Sequence, residues 1–311
     1  MRNAFAAAMV ELAAADPRVV VLSGDIGNRL FDSFKQRFPT RFYNCGVAEA
    51  NMTSMAAGLA MCGLRPFTYT ITPFATTRAM EQIRVDLCYH NVPVTVVGTG
   101  SGLSYASLGP THHSCEDVAL LRALPNMTVL CPADTTEVRQ ALAAVLTLRG
   151  PAYIRLGKKG EPAVHQELAE FAIGKGIVVR EGTDVCLLGL GTMVATAMEA
   201  AAMLQTSGVL AQVVSMHTVK PIDEGLLSDA FGRFPVVAVV EEHSRIGGLG
   251  GSVAEWLAAQ RPRPAGELLA FGTPDGFLCE AGSQRYARQQ CGLTADHIAA
   301  EVIRAFGNRK V

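Results

Sequence analysis

The sequence predicts an α/β protein of two three-layer α/β/α domains on mainly parallel sheets, and three observations lead there. Short β-branched runs alternate with helical stretches along the whole chain. Those runs are apolar on both faces, which suits parallel strands covered by helices on each side. The alternation breaks once, between Gly157 and Gly176, and then restarts. A length of 311 residues also exceeds what one core usually fills.

Taken in order, "MRNAFAAAMVELAAADPR" reads as an amphipathic helix. Glu11 interrupts its apolar residues and no small-residue cleavage site follows, so we do not expect a targeting peptide. "RVVVLSGD", "PVTVVGTG", "MTVLCPAD" and "PAYIRLG" read as strands ending in turns. Between the first two, Met52, Met55, Ala56, Leu59 and Ala60 recur at helical steps and define a buried face beginning near Asn51. "GKKGEPAVHQELAEFAIGKG" is polar, turn-rich and without a steady period, and reads as a linker that joins two domains near residue 165. The second domain repeats the pattern with "DVCLLGLG", "VLAQVVSM", "PVVAVVEE" and "ELLAFGTP" as strands and Thr192 to Ser207 as a helix.

Composition narrows the function. With 49% hydrophobic residues, 18% charged residues and a formal net charge of -1, the chain has no charge block to recruit nucleic acid or a membrane surface. No apolar run approaches the ~18 residues of a membrane span. Eight scattered cysteines, with no metal-binding spacing, point to reduced thiols and a cytoplasmic setting.

The glycine-rich turns do not make a dinucleotide fingerprint. "GTGSGL" has Leu103 and "GLGTMV" has Val194 where the third glycine belongs, and "GGLGGS" fails the spacing. Glu49 opens the helix of small and apolar residues, where a carboxylate needs a hydrogen-bond donor. His112 and His113 are adjacent, so their side chains diverge and do not share a metal; a loop histidine bonded to a carbonyl is the simpler reading. Asp25 follows a strand's carboxyl end, where ligands gather, or else caps a helix. Phe74 is either core or site. In the second domain, His217, Glu241, Glu242 and His243 suit interface and loop hydrogen bonding better than chemistry. Residue patterns alone do not name a reaction.

Taken together and in order, "GVAEANM", "TRAMEQIR", "GLSYASLGPTHHSCEDVALLRALPNMTVLCPAD", "GPAYIRLGKK" and "VVEEHSRIGGLGGSVAEWL" resemble the C-terminal half of transketolase. Deoxyxylulose-phosphate synthases and the beta subunits of 2-oxo acid dehydrogenases share this layout. The resemblance implies a thiamine-diphosphate pyrimidine-binding domain over residues 1–165 and a transketolase-type C-terminal domain over 173–311. The family's diphosphate-binding Gly-Asp-Gly with a downstream Asn has no counterpart, because "SGDIGN" carries Ile26 after the Asp. The chain therefore resembles the small subunit of a split, two-chain transketolase. That implies a partner carrying the diphosphate domain and the ligands of Mg2+ or Ca2+, in a heterotetramer of two large and two small chains. No metal ligand is assigned to this chain.

The resemblance also assigns roles. Glu49 matches the acid that bonds N1′ of the cofactor's aminopyrimidine, and a buried carboxyl suits sharing a proton with a ring nitrogen. Phe74 matches the aromatic that stacks on that ring, and Ile71 stands where transketolases place a second aromatic. Asp25 matches an Asp near the thiazolium. His112 matches the histidine that meets the substrate's oxygens and passes a proton, while His113 replaces the more usual Gln. Three departures bear on the substrate. Leu108 stands where ordinary transketolases carry an Asp that reads the donor's hydroxyl, Gly100 replaces a phosphate-binding histidine, and Lys158 replaces an arginine. Lys158 still offers a point charge, and Arg29 adds a second cation nearby. The implied activity is two-carbon ketol transfer from a ketose, phosphorylated or not, to an aldose. The alternatives are a related thiamine-diphosphate synthase, a 2-oxo acid decarboxylating subunit, or a non-catalytic stabilising subunit.

Overall fold

A computed structural model describes residues 1–27, 29–165 and 170–308; four residues of the expected linker, 166–169, lie outside the described residues. The first sheet holds β1 (Val19–Ser23), β2 (Phe42–Asn44), β3 (Arg65–Ile71), β4 (Thr95–Thr99), β5 (Thr128–Leu130) and β6 (Ala152–Leu156). The second holds β7 (Ile177–Arg180), β8 (Val185–Gly189), β9 (Ala211–Ser215), β11 (Val236–Ser244) and β12 (Glu267–Thr273), while β10 (Thr218–Lys220) crosses to the first. Strand orders are β10-β5-β6-β4-β3-β1-β2 and β12-β11-β8-β9-β7. Every pairing is parallel except those of the edge strands β10 and β7. The chain is thus two α/β units with mostly parallel sheets.

The pleat of β1 shows why its run is uniformly apolar. Val19 and Val21 face a cluster with Phe5, Met9, Phe34 and Leu142, from the helices Arg2–Ala15, Asp32–Arg37 and Thr135–Val145. Val20 and Leu22 face the opposite cluster with Met52, Ala56, Ile83 and Leu121. That second cluster continues without a break into the C-terminal unit, through Cys186, Leu188, Val214, Leu249 and Val253. The other face of the second sheet packs on the helices Met193–Thr206 and Ala295–Gly307, with Val194, Leu204, Ile298 and Val302 fully buried.

The crossing of β10 departs from a simple two-domain reading. β5 has three residues and one open edge, whose backbone groups need partners. β10 supplies them in antiparallel pairing, and Cys131 N donates to His217 O at 2.7 Å. Among the described residues no helix is long and apolar enough to cross a membrane, and no group of three His, Cys, Asp or Glu could hold a metal ion. All eight cysteines are free.

Candidate active site

Four neighbouring parallel strands, β1, β3, β4 and β6, end along one edge of the first sheet, where open α/β sheets collect ligands. Glu49 begins the helix Glu49–Met61 beside that edge and is 2% exposed. The backbone after β1 closes on it: a Cβ on Gly24 would lie 3.4 Å from Glu49 Cγ and 3.1 Å from Thr70 Cβ. Arg78 provides the donor that a buried carboxylate needs, with Nη1 bonding Glu49 Oε2 at 2.9 Å. The Arg78 guanidinium also lies over the Phe74 ring, 4.1 Å from its centroid. A planar cation is therefore stacked on Phe74 while donating to Glu49.

From Phe74 the contacts run outward. The His112 ring stands at 71° to Phe74 with centroids 5.3 Å apart, and its Nδ1 shares a 2.9 Å hydrogen bond with Thr111 Oγ1. Tyr105 also lies against His112, with ring centroids 6.2 Å apart, and the Lys158 ammonium sits 4.3 Å above the Tyr105 ring. Burial raises the Tyr105 phenol above its usual 10, opposed by the nearby Arg2 charge. Arg2 lines a separate pocket with Asn3, Gly27, Arg29 and Leu30. No carboxylate among the described residues pairs with Arg2, Arg29 or Lys158.

Asp25 is exposed and left-handed (φ 56°), a conformation short polar side chains tolerate. It accepts from Asn44 Nδ2 at 2.9 Å, and Asn44 Oδ1 accepts from Gly46 N at 3.0 Å, so the loops carrying Asp25 and Glu49 are tied together. Ile71 ends β3 and is half-buried just ahead of the short helix Thr72–Ala75 that carries Phe74. Leu108 is 52% exposed on the loop between Tyr105 and His112.

His113 does not join this group. It is buried, with its Nε2 unpartnered, and it lines a cavity of about 380 Å³ with Cys115, Phe277 and Cys291. Burial lowers its pKa below 6.5, which an Ala106 carbonyl only partly opposes. Reading the sequence for chemistry missed Arg78, Tyr105 and Arg2. Arg78 carried no regular spacing to Phe74, because it lies in the separate 3-10 turn Thr77–Ala79, beyond the end of the helix Thr72–Ala75. Tyr105 and Arg2 had no signal either: an aromatic in a loop and an arginine at a helix start carry no pattern of their own.

With this geometry in place, two family models match: the pyrimidine-binding domain of transketolase over residues 1–161 and the transketolase C-terminal domain over 174–298. The 6-deoxy-6-sulfo-D-fructose transketolase subunit SqwH of Clostridium sp. (strain MSTE9) is 38% identical over 96% of this chain and 92% of its own. An apulose-4-phosphate transketolase subunit of Phocaeicola vulgatus is 34% identical over 91% and 90%. Among solved structures, a split-gene transketolase described as an inactive beta4 tetramer superposes with a TM-score of 0.88 at 40% identity, covering 98% of this chain and 97% of that one. The chain belongs to the transketolase family, as a subunit that carries its pyrimidine-binding and C-terminal domains.

Proposed function

We propose that this chain is the C-terminal subunit of a split, thiamine-diphosphate-dependent transketolase that moves a two-carbon ketol unit from a ketose to an aldose. The reading places the pyrimidine-binding domain at 1–165 and the C-terminal domain at 173–311. It makes activity depend on a partner that supplies the diphosphate site and the Mg2+ or Ca2+ ligands. The assembly would be a heterotetramer of two large and two small chains, at work in the cytoplasm.

One observation carries the reading. The slot between Glu49 and Phe74 holds a flat, hydrogen-bond-donating cation, the Arg78 side chain. An aminopyrimidine offers a stacking face and a ring nitrogen that donates once it takes a proton from the acid, so the residues present fit it. Thiamine diphosphate, when bound, supplies a carbon nucleophile and an electron sink for breaking the ketose chain. Glu49 would accept and share the ring proton, while Phe74 and Ile71 hold the ring's faces. Asp25 would place a carboxylate near the cofactor's charged ring. His112, 5.3 Å from Phe74, would donate or take a proton at the substrate's carbonyl and hydroxyl oxygens. Lys158 would hold an anionic tail, Arg29 would add a second cation from the separate pocket it lines with Arg2, and His113 would act only from behind His112. The ketoses named for the two relatives both end in an anionic group, a sulfonate or a phosphate, which supports such a tail.

The test is calorimetric titration of thiamine diphosphate with Mg2+ into this chain, alone and then mixed with the diphosphate-domain chain. Tight binding only in the mixture, with ketose turnover, is the expected result. Tight binding by this chain alone overturns the partner requirement.

A further inference from the structure

We propose that Tyr105 is a specificity-determining residue whose ring holds the Lys158 ammonium in the substrate channel, making the site selective for ketoses with an anionic tail. The inference rests on the ketol-transfer reading above. The ring is seated by the backbone beneath it. Gly100 has φ +69°, and a Cβ there would lie 1.9 Å from Tyr105 Cε2, so this ring position requires a bare glycine at 100. The loop also fixes the ring's base, because Leu108 N donates to Tyr105 O at 2.8 Å and Ala106 N to Leu103 O at 2.9 Å.

Seated there, the ring has His112 on one side at 6.2 Å and the Lys158 ammonium over it at 4.3 Å. A lysine stem is long and free to turn, and no carboxylate among the described residues pairs with this one. The quadrupole of the Tyr105 face is what localises the charge. Because Lys158 follows β6 and His112 belongs to the loop after β4, the ring spans the gap between the proton-handling group and the cation. A substrate whose reacting carbon lies at His112 then runs its chain along the ring and its anion toward Lys158. Leu108, three residues after Tyr105 on the same loop, is 52% exposed and has no polar side-chain atom to offer an uncharged polyol.

The experiment uses the reconstituted two-chain enzyme, with glycolaldehyde as an uncharged acceptor and D-fructose 6-phosphate or D-fructose as donor. Tyr105→Ala is expected to raise KM for the phosphorylated donor about tenfold. The KM for fructose should change by less than about threefold, so that the preference for the phosphorylated donor falls. Tyr105→Phe keeps the ring, and so should retain selectivity. Lys158→Gln should reproduce the loss, with Tyr105→Ala adding nothing further in the double variant. If Tyr105→Ala shifts both donors alike, or neither, in an enzyme whose wild type is active, the proposal is overturned alone. A wild-type complex that turns over neither donor overturns the ketol-transfer reading, and this proposal with it.

Discussion

Glu49 shows what one residue can settle. Its carboxylate is 2% exposed and its ion-pair partner Arg78 is 44% exposed, so the pair joins the interior to the open edge of the sheet. Glu49→Gln preserves size and can still accept from Arg78 through its amide oxygen, but it cannot exchange a proton. In the reconstituted enzyme we expect ketose turnover to fall by at least about a hundredfold, the scale of a lost acid-base group. The unfolding free energy should move by less than about 1 kcal/mol, since the partner keeps its access to water. Urea unfolding and steady-state rates measured on the same preparation check both halves. Undiminished turnover would return Glu49 to a purely structural role. The sequence made this residue legible because an acid at the head of an Ala- and Met-rich helix is conspicuous. It did not reveal Arg78 as the donor, since an arginine in a short turn is ordinarily a solvated surface residue.

The same contrast holds for the elements. β1, β4, β5, β6, β8, β9 and β11 were legible as apolar runs, because a covered parallel strand needs apolar residues on both faces, and the half-exposed edge strand β12 was legible from its Leu-Leu-Ala-Phe run alone. β2, β7 and β10 were not, as edge strands of three or four residues carry too little pattern, and β3 hides behind Pro66 and its threonines. The helix Thr135–Val145 shows how an element can depend on contacts remote in sequence. Asp134 caps it, with Oδ1 accepting from Thr136 N at 2.9 Å and Glu137 N at 3.0 Å. Its Oδ2 accepts from Val164 N and His165 N, both at 2.9 Å, so the same carboxylate pins the chain that leaves β6. Burial pushes the Asp134 pKa up, but the amide bonds from His165, Glu137 and Val164 outweigh it and hold the group below 3.8. The folded value is thus lower than the unfolded one. The stability this gives is full above the unfolded pKa and is lost as the pH falls through the folded value. Asp134→Ala should cost about 2 kcal/mol at pH 7 in urea unfolding, with the gap from wild type narrowing below pH 4. An equal gap at pH 3 and pH 7 would show that the charge plays no part.

At the scale of the whole molecule, two sheets suggest two independently melting units, and the packing argues for one. Arg155 of β6 pairs with Asp117 at 2.8 Å, both side chains buried, and its Nη2 donates to Glu242 O at 3.0 Å across to the second unit. Glu242 answers in the other direction, with Oε1 accepting Leu103 N at 2.6 Å and Gln284 Nε2 at 2.9 Å while Oε2 pairs with Arg288. The sequence placed Glu242 and its neighbours in interface hydrogen bonding, and these are such contacts; it gave no warning of the apolar cluster that runs from Val20 to Val253 through both units. A shared apolar core ties the sheets more firmly than the usual small, polar contact between domains. The chain should therefore unfold in a single calorimetric transition, with calorimetric and van't Hoff enthalpies equal. Glu242→Ala strips the partner from a buried amide and from Arg288 at once, and should destabilise by about 3 kcal/mol without splitting that transition. Two resolved peaks in the wild-type scan would mean that the common cluster does not couple the units, and that their joint stability must come from a partner chain.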